Sequence, residues 1–213
     1  MPYPLFPSYV YVSDDERSPH PMRDFPPPSY GLYAHLVLLY RHYNVAYRCE
    51  KARHWHRQYR RRACLLFAMT GKTSPRACDG FHGLHVSFWA WHNPARSRSG
   101  MQRRTQGQHT LCAVSVHTLR QFWQVYRHKG VDFMILSPLF ATQSASQRPL
   151  FPYFHAIRLS HVSQKPLIAL GGITQKTARL LRPHRFYGYA GIDAFTRNKA
   201  YHPYPIRIKK SKP

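Results

Sequence analysis

The chain has 213 residues, 43% hydrophobic and 19% charged, the balance of one globular domain with a substantial core and not of a disordered chain. Lys and Arg number 32 against 8 Asp and Glu, giving +24 with the 15 histidines neutral, a surplus that attracts phosphorylated metabolites, RNA and lipid headgroups alike. No apolar run reaches the ~18–20 residues of a membrane span, no basic-then-apolar leader opens the chain, and Cys49, Cys64, Cys78 and Cys112 form no CxxC pair, which points to a cytoplasmic protein with reduced thiols and away from a disulfide framework, a zinc site or a membrane partner.

In chain order, residues 1–8 read as an extension and residues 9–13 (YVYVS) as a first strand, ended by Asp14 and Asp15. Residues 17–30 hold Pro19, Pro21 and Pro26 to Pro28, which excludes regular helix. A second strand is expected at 35–40 (HLVLLY), then a helix rich in Arg and aromatics at 51–62. Strands three and four fall at 64–69 (CLLFAM) and 83–86 (GLHV). Residues 92–109 are polar, basic and rich in Gly and Ser, the composition of a mobile loop. After a fifth strand at 111–116 (LCAVSV), the clearest helix runs over 119–129. Its Leu119, Phe122, Trp123 and Tyr126 recur at i, i+3, i+4 and i+7, with Thr118 as N-cap and Gly130 as the C′ residue. Strand six at 133–136 (FMIL), a helix at 151–160, strand seven at 166–170 (PLIAL), a helix at 175–182 capped by Thr174, and strand eight at 188–192 (GYAGI) complete the series. Residues 199–213 form a basic tail, expected to be flexible, after a domain spanning 9–198.

Most of these strands are continuous apolar runs, the pattern of strands buried on both faces of a parallel sheet. Eight of them alternating with helices predict an α/β fold, a single (β/α)8 TIM barrel.

Such a barrel carries its chemistry at the C-terminal ends of the strands and in the loops that follow. That rule selects Asp14 and Asp15, Arg41, Thr70 and Gly71, Ser87 to Ala90, His117, Ser137, Thr142 and Ser144, Gly171 and Gly172, and Asp193. Gly171 and Gly172 precede a helix start, where two glycines let the backbone approach a phosphate at the helix N-terminus; a tight turn that binds nothing needs the same glycines. The hydroxyls of Ser137, Thr142 and Ser144 suit a substrate phosphate or ring, or simply a surface loop. Ser115 and His117 alternate onto one side of the fifth strand, and an imidazole there titrates near neutrality and shuttles a proton. With 15 histidines in the chain, position and not identity singles out His117. His85 is expected to point into the barrel or to pack at its top, and no second ligand at a suitable spacing makes it a metal site.

The segment 130–142 (GVDFMILSPLFAT) resembles the "G-A-D-Y-…-G-P-x-F-x-T" stretch of the thiamine phosphate synthase/TenI family, and 166–173 (PLIALGGI) is similar to its "P-V-x-A-x-G-G-I". Residues 80–85 (GFHGLH) resemble "G-A-D-G-V-H", 115–118 (SVHT) resemble "S-x-H-(S/T)", and 39–43 (LYRHY) fall where synthases carry "Q-L-R-x-K". The resemblance implies a thiamine-pathway enzyme. Synthases of the family join a pyrimidine diphosphate to a thiazole phosphate with Mg²⁺ neutralising the leaving pyrophosphate, whereas TenI-like members tautomerise the thiazole phosphate without metal. By this alignment the synthase Asn-Asp pair falls on Thr70 and Gly71 and the second metal-binding Asp on Ala90. Leu39 and Tyr43 replace the Gln and Lys beside Arg41, Ala145 and Ser146 stand where a Lys is expected, and Asp193 takes the place of the strand-eight Ser. With those carboxylates lost, Mg²⁺ is not expected as a cofactor. The retained Arg41, Ser115, Ser137, Thr142, Ser144, Gly171 and Gly172 imply phosphate and substrate binding, and His117 implies proton transfer.

The resemblance thus implies a thiazole phosphate partner and TenI-like chemistry, with a divergent synthase as the alternative and a homo-oligomer compatible with either. The basic clusters at 57–62, 96–104 and 209–212 carry no RNP, KH or helix-turn-helix pattern. They read as a solvated basic surface, and a non-catalytic barrel that binds phosphate or RNA stays open as the reading from another class.

Overall fold

The computed structural model describes residues 9–13, 36–41, 48–60, 63–69, 80–93, 111–142, 149–181 and 183–191. Eight parallel strands close into a barrel in chain order: β1 (Tyr9–Val12), β2 (Leu36–Tyr40), β3 (Cys64–Ala68), β4 (Gly83–Ser87), β5 (Leu111–Val116), β6 (Phe133–Leu136), β7 (Leu167–Leu170) and β8 (Gly188–Gly191), with β1 pairing β8. Every expected strand is present. Closure removes the sheet edges, and the helices cover the outer face.

Two-sided burial explains the apolar runs. In β6 the side chains of Phe133 and Ile135 fill the barrel interior, while Met134 and Leu136 pack outward under the helices, all four fully buried. β3 divides the same way, with Leu66 and Ala68 inward and Leu65 and Phe67 outward.

Five helices are described: α1 (Arg48–Tyr59), α2 (Phe88–His92), α3 (Leu119–Tyr126), α4 (Tyr153–Val162) and α5 (Gln175–Leu181). Four occupy expected places with shifted ends, α1 lying three residues earlier than its composition suggests. α2 was not expected; Ser87 caps it by accepting the Ala90 N–H at 3.3 Å, so the fourth strand runs directly into a helix before residues 94–110 leave the described region.

α3 corrects two sequence expectations. Its buried face is Gln121, Phe122 and Val125, and Trp123 is 43% exposed. Leu119, Phe122 and Tyr126 do pack on the core, and Gln121 joins the buried face in place of Trp123, its carboxamide turned inward to accept the His117 N–H at 2.7 Å. Nor is Gly130 the residue that ends this helix: Arg127 is the C-cap, and Gly130 does not have the positive φ of a left-handed cap. Thr118 does cap α3, its hydroxyl accepting the Gln121 N–H at 3.2 Å. Thr174 caps α5 likewise, accepting from Thr177 N at 3.2 Å while Thr174 N donates to the Thr177 hydroxyl at 2.8 Å.

Candidate functional site

The inward side chains at the C-terminal ends of β2, β4 and β5 converge on one buried polar cluster. In β4, His85 stands in register between Ala68 of β3 and Ala113 of β5. Those two methyl groups belong to the interior core and leave room there for an imidazole. His85 Nε2 lies 2.7 Å from the Ser115 hydroxyl, both side chains being buried. Burial first, then the positive charge of Arg41, then that of His117, pushes the His85 pKa down to about 4. His85 is therefore neutral near pH 7, and Arg41 and His117 are close enough to act on it electrostatically.

Two residues beyond Ser115, His117 directly follows β5, half-buried and held by two hydrogen bonds beside the cap of α3. Its backbone N–H binds Gln121, Thr118 next to it caps α3, and its ring Nδ1 lies 2.5 Å from the Ser137 carbonyl at the end of β6. A carbonyl only accepts, so Nδ1 carries the proton, and in the neutral ring the lone pair is on Nε2. Arg41 follows β2; its N–H donates to the Ser13 hydroxyl at 3.3 Å, and that hydroxyl donates to the Leu39 carbonyl at 3.1 Å.

The loops after β6 and β7 form a single unit. Leu139 N–H binds the Leu170 carbonyl at 2.9 Å and Phe140 N–H binds the Gly171 carbonyl at 3.1 Å. Gly171 and Gly172 have φ of +97° and +62°. A Cβ on Gly171 would meet Pro138 Cβ at 2.7 Å, and one on Gly172 would meet the Ala141 carbonyl oxygen at 2.2 Å. The close approach of the two loops to each other thus requires both glycines. The Thr177 hydroxyl then ties Gly172 to α5 by donating to its carbonyl at 3.0 Å.

The structure therefore brings Arg41, Ser115 and His117 together with His85, and places Ser137, Gly171 and Gly172 on the adjoining strand ends, with half-buried Thr142 further along the loop after β6. Ser144 lies outside the described residues, as do Asp14, Asp15, Thr70, Gly71 and Asp193. His85 points into the barrel as the sequence suggests, but sequence reasoning did not join it to Ser115, nor place Ser13 or Gln121 in this assembly. A signal for His85 existed: it shares the inward parity of Gly83, and alanines flank it in register. Asp132 of the resembling segment lies at the opposite end of the barrel, accepting the Cys112 N–H at 2.6 Å, a bracing role.

Residues 83–195 match the family model described as thiamine monophosphate synthase, more than half of the chain. The chain belongs to the thiamine monophosphate synthase family. The matched part runs from β4 through β8 and so includes His85, Ser115, His117 and both joined loops. The thiamine-phosphate synthase of Pasteurella multocida is 33% identical over 93 residues, 42% of each chain. That of Helicobacter pylori is 38% identical over 88 residues, 40% of this chain and 39% of that one. The chain thus matches about two-fifths of the length of these curated relatives. The thiamine phosphate pyrophosphorylase of Pyrococcus furiosus superposes with a TM-score of 0.64 at 15% identity, covering 90% of this chain and 89% of that one, a likeness of fold. Among the described residues no helix is long and apolar enough to cross a membrane.

Proposed function

We propose that this family member handles thiazole phosphate in thiamine biosynthesis, by a TenI-like tautomerisation that uses no metal. The observation that carries the reading is His117: a half-buried imidazole at the C-terminal end of β5, with Nδ1 committed to a backbone carbonyl. Tautomerisation conserves composition. A base takes a proton from one carbon of the conjugated system, and a proton returns at the other end. A neutral imidazole with a fixed tautomer supplies the base, and its conjugate acid returns the proton. Neutral His85 adds no charge beside it and orients Ser115. Arg41 offers a guanidinium for the phosphate of the substrate, with Ser115, Ser137, Thr142, Ser144, Gly171 and Gly172 as the remaining binding positions.

Mg²⁺ fits this donor set poorly. A hard cation takes oxygen ligands, Ala90 offers a methyl group where the synthase pattern has an Asp, and the two mouth histidines are nitrogen donors already engaged. The names of the relatives favour a second reading, a divergent synthase. Thiazole phosphate tautomer mixed with the protein in EDTA tests the first reading. Aromatisation, followed by ultraviolet absorbance, is expected to be faster with the wild-type chain and to drop at least about a hundredfold in His117→Ala, the usual scale of general acid–base catalysis. Equal rates would remove His117 from the chemistry. A synthase-deficient strain expressing the chain is expected not to grow without thiamine; growth would favour the second reading.

A further inference from the structure

The proposed chemistry leaves the +24 charge unused, and part of that charge is organised. α1 buries Ala52, Trp55 and Tyr59 against the barrel, with the Trp55 ring edge-on to Tyr40 at 5.2 Å. Its opposite face, from residue 50 to residue 60, is exposed and carries Lys51, Arg53, His54, Arg57 and Arg60. Glu50 is the single acidic residue between 48 and 60. At a rise of 1.5 Å per residue, Arg53, Arg57 and Arg60 form a row about 10 Å long. The guanidinium of Arg60 already lowers the pKa of neighbouring His56, after the effect of burial, so the local field is positive.

We propose that the outer face of α1 docks a single-stranded nucleic acid through its phosphodiester backbone. The row of arginines matches a linear polyanion, since guanidinium groups bind phosphate oxygens bidentately and each neutralised phosphate releases counterions. A lipid surface fits less well. An interfacial helix sinks its apolar face into the bilayer, and the apolar residues of α1 are spent on the barrel. Duplex groove reading fits less well too, because α1 is seated on the flank of the barrel along its length and cannot enter a groove. A flexible single strand can follow such a face. The basic face points outward from the barrel, opposite the side of α1 that packs against it.

The test is fluorescence anisotropy of a labelled oligouridylate against the full chain over a salt series. Arg53, Arg57 and Arg60 are replaced together by Gln, which keeps helix propensity. A matched variant replaces Arg120, Arg127 and Lys129 by Gln; these are exposed at α3 on the other side of the barrel and remove the same formal charge. The α1 variant is expected to lose about tenfold or more in affinity and to flatten the slope of log K against log salt by about 2, the share of three phosphate contacts to a single strand. The α3 variant is expected to stay within about threefold of wild type. Equal losses in both variants would overturn the proposal, because binding would then follow net charge and not a surface. Binding to anionic phospholipid vesicles that depends on the three arginines while oligouridylate binding does not would overturn it as well.

Discussion

His85 is a titratable group enclosed by the barrel, with Arg41 and His117 nearby, and its folded-state pKa of about 4 lies below the ordinary 6.5. Between those values the unfolded chain binds the proton and the folded chain does not. Stability is therefore full above pH 6.5 and lost as the pH falls towards 4, by on the order of 3 kcal/mol for this one residue. Urea unfolding at pH 7 and pH 4.5 is expected to show a larger loss for wild type than for His85→Gln; identical losses would mean that His85 does not carry the effect. Gly172 supports a second prediction at this scale. An alanine there combines a left-handed backbone with a Cβ placed 2.2 Å from the Ala141 carbonyl oxygen. Gly172→Ala is expected to destabilise by about 2 kcal/mol or more and to lower the melting midpoint by about 4–8 °C. His117 was legible in the sequence because a barrel strand's C-terminal end marks it. The cluster around it was not, because the His85–Ser115 contact joins residues 30 positions apart and depends on which neighbouring strand supplies a small side chain.

The strands were the most legible elements. A run such as 133–136 is apolar at every position, and only burial on both faces accounts for that. The helices were legible in place but less so in phase. α3 showed its N-cap, Thr118, yet its buried face includes a glutamine chosen by a hydrogen bond to His117 and not by hydropathy. α2 has five residues, too few for a helical period to emerge. The cap of α3 also positions the turn that holds His117. Thr118→Ala is expected to lower stability by about 1 kcal/mol in denaturant unfolding, and to slow aromatisation more than it weakens ligand binding. A stability loss with an unchanged rate would separate the cap from the function of the turn.

Across the whole molecule, the barrel gathers the candidate site at one end and bracing at the other. Arg41, His85, Ser115 and His117 gather where the strands end, while Asp132 secures the start of β5. This division follows from parallel strands that all point the same way. We propose that this mouth takes a thiazole phosphate without a pyrimidine diphosphate or a metal. Thermal unfolding of the full chain against thiazole phosphate measures it most directly, because a ligand of the native state stabilises by mass action, about 2.7 kcal/mol at a hundred times its Kd. The melting midpoint is expected to rise with thiazole phosphate in EDTA, and by no more when pyrimidine diphosphate and Mg²⁺ are added. A midpoint that moves only when all three are present, or not at all with thiazole phosphate, would contradict it.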